Sequence, residues 1–539
     1  MTREDAEDRL LTTELSRRGF LGVAAGAGLA LAGCSSDGGN GGGAGAARST
    51  TAPATSLSGP PFTLGVASGD PLPNSVVLWT RLAPKPLEGG GMPARAVDVD
   101  WEVATDERFT DVVKRGTEEA RPDDAHTVHV DVKGLGDARS YWYRFRAGNE
   151  ISPVGQTRTA PKQNADAGRL AFAFVSCQNW QDGYWTPYAH LADEDLDLVV
   201  FLGDYMYESG IDSSKLRQHN SPEPMDLEGY RNRYGLYKGD PNLQRAHARF
   251  PWVVTWDDHE VENNYADEDN EGGLTREKFL ARRTDAYKAY WEHQPLRVRP
   301  PQGPDLGLYR SLEYGNLARF AVLDGRQYRA PQPCGDTNVI SDIGPPCPAA
   351  SEAERSMIGA EQERWLFDEL GKSKSKWNVI AQQTVFARFD VQAGAAELYN
   401  FDQWDGYVAS RQRILDFLGE SKPSNPVVIT GDIHASGAGD LKRNFGDPAS
   451  PSVGTEFIGT SISSLFQESF IPIVEAALGD APYAKYFEGR RRGYVRCTLD
   501  ASSWRSDYRY VSSTQEQQAT IETAASFVVS DGSHTVERA

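Results

Sequence analysis

LDLVVFLGDYMYE occupies residues 196–208. From Leu198 to Leu202 every residue is apolar, and Gly203, Asp204, Tyr205, Met206, Tyr207 and Glu208 follow without a break. A strand that is apolar at successive positions has no solvent face, so it belongs in a sheet covered on both sides. LAFAFV (170–175), PWVVTW (251–256), RFAVLD (319–324), WNVIAQ (377–382) and PVVIT (426–430) have the same character. The spans 276–293 and 359–372 carry apolar residues at helical spacing. Strands alternating with helices predict an α/β unit over residues 168–539.

In such sheets ligands collect beyond the carboxyl ends of strands. LAFAFVS runs into Cys177, LDLVVFL into Gly203-Asp204 and on to Tyr207, PWVVTW into Asp257-Asp258-His259-Glu260, and PVVIT into Gly431-Asp432-Ile433-His434. Asn263 and Asn264 lie shortly after the third of these. Four strands thus bring metal-competent groups to one rim. A single Asp after a strand usually caps a helix or shapes a turn. Several together repel one another unless cations neutralise them. Thiolate and phenolate suit iron(III), and carboxylates suit a hard ion such as calcium. The expected centre is mixed: iron near Cys177, Tyr207 and His434, a harder ion near Asp258 and Asp432, and Asp204 bridging.

Residues 59–160 read differently. SVVLWTRL, VDVDWEVAT, HTVHVDVKGL, YWYRFRAG and SPVGQTRTA are short strands separated by turns, which predicts an all-β sandwich of immunoglobulin or fibronectin III type. Trp79, Trp101 and Trp142 are expected to pack its core. Residues 35–58, rich in Gly, Ala, Ser and Thr, are too poor in apolar surface to offset ordering and read as a flexible linker. At the start, Ser16-Arg17-Arg18-Gly19-Phe20-Leu21 is a twin-arginine signature, and Leu31-Ala32-Gly33-Cys34 resembles a lipobox. Residues 1–34 are therefore expected to direct export through the twin-arginine machinery, with Cys34 lipidated. The mature protein is expected outside the cytoplasm, anchored to the membrane or released. Cys334 and Cys347 bracket a Gly/Pro-rich loop and are expected to form a local disulfide there. Cys497, in YVRCTL, reads as a buried thiol. A net charge of −20 argues against a nucleic-acid-binding surface. It confines membrane contact to the anchor, and any phosphate site must carry its own local cations.

FTLGVASGDP and VVLWTRL, followed in order by SCQ, FLGDYMYE, TWDDHEVENN, LDGRQYR, AQQT, DQWDGY and ITGDIH, resemble the bacterial alkaline phosphatase D family, which is similar to calcineurin-like metallophosphoesterases. The resemblance implies an N-terminal sandwich followed by an αββα layered catalytic domain. It implies metal ligands at Cys177, Asp204, Tyr207, Asp432 and His434, with iron(III) and calcium as cofactors and other divalent metals as substitutes. The middle ligand is left among Asp258, Asn263 and Asn264, because the family commonly places Asn then His where this chain has Asp258-His259. The expected activity is phosphatase or phosphodiesterase hydrolysis of phosphate esters by a metal-bound hydroxide. His259 is the candidate to donate a proton or contact phosphate, and Arg326 or Arg329 to clamp it. Residues 514–526 are expected to be helical and to cover the site, ahead of a final strand pair. Two other readings share these motifs: a phospholipase or teichoic-acid phosphodiesterase, and a lipid-anchored binding module with a structural metal.

Overall fold

The computed structural model describes residues 59–335 and 342–539. The twin-arginine pair, Cys34 and the 35–58 stretch lie outside the described residues. No helix among the described residues is long and apolar enough to cross a membrane.

The apolar runs become two sheets. Leu198–Leu202 pairs in parallel with Arg169–Val175 on one side and Pro251–Thr255 on the other, at the middle of a ten-stranded sheet. The second sheet has seven strands, and within it Ala318–Val322, Trp377–Ala381, Pro426–Thr430 and Ser452–Ile458 run parallel as successive neighbours. Alternation along each strand explains why none carries a polar face. Phe172, Phe174, Val200 and Leu202 meet Phe320, Val379, Val427 and Ile429 of the other sheet in one core. Ala173, Val175, Val199 and Phe201 point the opposite way, into a core with Tyr234, Leu243, Phe279 and Tyr290 of the helices Leu227–Lys238, Pro241–Arg249 and Arg276–His293. On the far side of the second sheet, Ile380 and Val428 pack with Leu366 and Leu370 of Gly359–Lys372 and with Ile414 and Leu418 of Val408–Ser421. The packing order is helix, sheet, sheet, helix.

The N-terminal strands also form two facing sheets, and one of them is continuous with the ten-stranded sheet. Val66–Leu72 pairs in parallel with Pro251–Thr255, and Ser75–Arg81 and Thr127–Lys133 follow it to the edge. Opposite them lie Val97–Ala104, Val112–Ala120, Ser140–Ala147 and Gly155–Arg158. Val76, Leu78 and Val130 face Val99, Val103, Tyr143 and Phe145 across this core. Trp79 is buried outside it, with Leu64, Ala67 and Ala83.

The C-terminal segment corrects the helical expectation for residues 514–526. Ile521–Ser530 is a strand, antiparallel to Ser503–Val511 and followed by Glu537–Arg538. Its Ala525, Phe527 and Val529 enter the inter-sheet core at period two, and that burial overrides the helix preference of the Gln/Glu/Ala run before it. Ahead of it, the Ser513 and Thr514 carbonyls accept bonds from Thr186 Oγ1 and the Tyr184 N–H, at 3.3 and 2.7 Å.

Candidate metal centre

The four strand ends converge, and they come from two sheets rather than the rim of one. Cys177, Asp204 and Asp257-Asp258 follow strands of the ten-stranded sheet, and Asp432 and His434 follow Pro426–Thr430 of the other. The turns lock to one another through the main chain: the Cys177 N–H donates to the Gly203 carbonyl and the Gln178 N–H to that of Asp204, both at 3.1 Å. Cys177, Asp204, Asp432 and His434 all have φ between 57° and 62°. L-residues adopt that left-handed region at a cost of roughly 1–3 kcal/mol each, which persists only where the surroundings fix it. These four strained residues lie at three strand ends, two of them after Pro426–Thr430.

Donor atoms of Cys177, Asp204 and His434 lie within 4.8 Å of one another; so do those of Asp204, Asp258 and His259, and those of Asp257, Asp258 and Asp432. Asp204 and Asp258 each belong to two of these groups. The Tyr207 hydroxyl donates to Asp204 Oδ2 (2.7 Å), lies 3.0 Å from His434 Nε2 and accepts from Ser464 Oγ (2.8 Å). Asp204 Oδ1, Asp257 Oδ2 and Asp258 Oδ1 are buried without a hydrogen-bond partner. Three such oxygens in one place form a cluster that protein donors do not satisfy. Burial and the neighbouring carboxylates Asp402, Asp258 and Asp204 push Asp432 up to about 6 against the pull of Arg326, and burial with Asp258, Asp432 and Asp204 holds Asp257 well above the carboxylate range against the same pull. Burial, then the charge of Asp204, raises the Cys177 thiol and the Tyr207 phenol. Each of these groups would be returned to its anionic, ligating form by a cation, so the residues fit a metal centre.

Arg326 corrects the expectation of a phosphate clamp. It is fully buried, and its donors are engaged: Nε to Asp257 Oδ1 at 2.5 Å, and both terminal nitrogens to Asp402 at 2.8 Å. Its guanidinium also lies 3.6 Å from Asp258 Oδ1 and 3.5 Å from Asp432 Oδ1. Arg329 Nη1 reaches the same Asp402 at 2.6 Å. Both arginines stand behind the carboxylates. His259 stacks on Tyr207 with ring centres 4.1 Å apart, and its Nδ1 is 2.7 Å from Glu208 Oε2. Burial opposes its charge, but Glu208, Asp258 and Asp204 raise it well above the ordinary imidazole value. Of the three residues considered for the middle position, Asp258 lies in the cluster. The side chains of Asn263 and Asn264 donate to Glu271 at 2.9 and 3.3 Å, and the Asn264 N–H donates to Asp258 Oδ2 at 2.7 Å.

Several residues here were not singled out from sequence. Asp257, Glu208 and Glu260 lie inside the quoted strand-end motifs, and Glu208 and Glu260 act through hydrogen bonds to His259 and to main-chain N–H groups rather than as ligands themselves. Asp402 and Gln403 lie in DQWDGY, far along the chain; Gln403 Nε2 donates to Asp432 Oδ2 at 2.7 Å. Beside the centre opens a cleft of about 310 Å³ in which Gln403, Asp432 and His434 face Phe389, Leu465, Phe466 and Phe470. Cys334 and Cys347 are joined by a disulfide, Cα atoms 6.1 Å apart, and Ile343 of the loop they close lines that cleft. Cys497 is a buried free thiol.

Comparison with known proteins finds similarity along most of the chain. The PhoD-like phosphatase family model matches residues 172–508, and that of the PhoD-like phosphatase N-terminal domain matches residues 46–161. Alkaline phosphatase D of Bacillus subtilis (strain 168) is 50% identical over 482 residues, covering 88% of this chain and 82% of that protein. A solved structure of PhoD superposes with a TM-score of 0.85 at 48% identity, over 90% of this chain and 93% of the other.

Proposed function

The chain belongs to the PhoD-like phosphatase family, and on that premise we propose that it is an exported phosphatase and phosphodiesterase with a centre of iron(III) and calcium. Iron(III) would be held by Cys177, Asp204, Tyr207 and His434, and calcium by Asp258 and Asp432 together with Asp204; another divalent ion can stand in for calcium. The observation that carries this reading is the set of three buried carboxylate oxygens on Asp204, Asp257 and Asp258 that accept no hydrogen bond, beside a thiol, a phenol and an imidazole. We read residues 59–160 as the N-terminal sandwich domain and 168–539 as a calcineurin-like catalytic domain, a reading supported by the packing order helix, sheet, sheet, helix. Export by the twin-arginine route, with lipidation at Cys34, rests on the motifs of residues 16–34.

When bound, the cations lower the pKa of a coordinated water and neutralise charge developing on the phosphoryl oxygens. The remaining steps belong to the protein. Glu208 holds Nδ1 of His259, which leaves Nε2 as the free ring nitrogen. Glu208, hydrogen-bonded to that ring, favours its protonated form, so Nε2 can pass a proton to the departing alkoxide. Tyr207, stacked on the same ring, fixes its plane. Gln403 restrains Asp432 at the edge of the cleft, where the ester enters. The molecule's overall negative charge repels the substrate at long range, and binding relies on the charge of the centre alone.

The test is a comparison of purified protein on a phosphomonoester, a phosphodiester and a phospholipid, before and after metal removal. Hydrolysis of the first two that disappears with the metals and returns on reloading is expected. Activity that survives complete removal of bound metal would refute the proposal.

A further inference from the structure

Glu260 follows Asp257-Asp258-His259 but joins none of the three donor groups. It is buried, and main-chain N–H groups take both of its oxygens. Oε2 accepts from Asp204 (3.1 Å) and Asp257 (2.9 Å), and Oε1 accepts from Tyr205 (2.6 Å). Those three donors belong to two different turns, one after Leu198–Leu202 and one after Pro251–Thr255. The turns also touch directly: a Cβ on Gly203, whose φ is 111°, would sit 2.5 Å from Cβ of Asp257. Burial and the charge of Asp204 push the Glu260 carboxyl up to about 8 against the pull of its three N–H donors, so the tie between the turns rests on the geometry of three donors converging on two oxygens. This one carboxylate therefore holds Asp204 in its left-handed conformation and fixes it relative to Asp257 and Asp258.

We infer that Glu260 is a positioning residue for the metal centre: by clamping the Gly203–Tyr205 and Trp256–Asp258 turns together, it couples the ion subsite at Asp204 to the one at Asp258. The inference rests on the reading of these residues as metal ligands. A glutamine at 260 has the same shape but one acceptor oxygen, so its NH₂ group must oppose at least one of the three N–H donors. With the amide nitrogen at the Oε1 position the Tyr205 bond is lost and the joint between the turns is weakened; at the Oε2 position the bonds to Asp204 and Asp257 are both lost. Loss of a partner that orients ligands typically weakens metal binding about 10–100-fold.

The experiment compares wild-type protein with Glu260→Gln, each stripped of metal and then titrated with iron and calcium. Bound metal is read by elemental analysis, and Tm is read before and after loading. Wild type is expected to bind metal and to rise in Tm on loading. In Glu260→Gln, metal affinity should fall about 10–100-fold, and the loading-induced rise in Tm should shrink to less than about half. A purely structural glutamate would lower Tm equally in both states and leave the affinity unchanged; that result overturns the inference while sparing the metal centre. Failure of wild type to bind metal would remove the centre itself and the inference with it. If Glu260→Gln does not accumulate folded, Glu260→Asp, one methylene too short to span both turns, serves in its place with the same two outcomes.

Discussion

The two halves of the centre are built on opposite electrostatic plans. On one side, Cys177, Tyr207 and His434 are groups that can all be neutral, and the Tyr207 hydroxyl is bonded to Asp204, His434 and Ser464. On the other, Asp257, Asp258, Asp402 and Asp432 are arranged about one fully buried guanidinium, that of Arg326. The first half can fold without metal by keeping its protons. The second cannot neutralise so cheaply, because Arg326 and Arg329 hold the Asp402 carboxyl below its ordinary value despite its burial, and so it remains charged. A permanent cation in the fold thus carries part of the load on the carboxylate side, and bound ions carry the rest.

Asp204 is where the two plans meet, and its loss should have the largest effect. Asp204→Asn removes the shared donor charge from both halves, and turnover should fall below detection on any ester, measured with protein loaded at saturating metal. Next is Arg326→Gln, which leaves Asp257 buried without its cation and Asp402 with Arg329 alone. Breaking such a pair costs about 3–5 kcal/mol, to be read by chemical denaturation of the metal-free protein. Cys177→Ser should act on one half alone: iron content and turnover drop roughly 10–100-fold while bound calcium is retained. Equal loss of both ions in that variant would break the distinction between the halves. The smallest effect is expected for Asn263→Ala, whose amide serves Glu271 outside the cluster; its influence on stability should stay within about 0.5 kcal/mol, with metal content unchanged.

What could be read from sequence follows the same division. Ligands that directly follow apolar strands, such as Asp204 after Leu198–Leu202 and His434 after Pro426–Thr430, were legible because strand direction alone sends them to one end of a sheet. That these strands sit in two facing sheets was legible only through the family resemblance and not from the strands themselves, since an all-apolar run is equally suited to either. Arg326 looked like an anion clamp because its burial depends on Asp257 and Asp402, distant residues that only the fold brings to it. Glu260 was invisible for a related reason: its partners are backbone N–H groups, which leave no mark on residue identity. Helix Arg276–His293 was readable from its own spacing, whereas Ile521–Ser530 became a strand through its pairing with Ser503–Val511.

The most direct test is anomalous diffraction at the iron edge from crystals of natively exported protein. A single strong peak within bonding distance of Cys177 Sγ, an Asp204 oxygen, the Tyr207 hydroxyl oxygen and His434 Nε2 is the expected result. Crystals of active protein with no anomalous scatterer at that position would contradict the account.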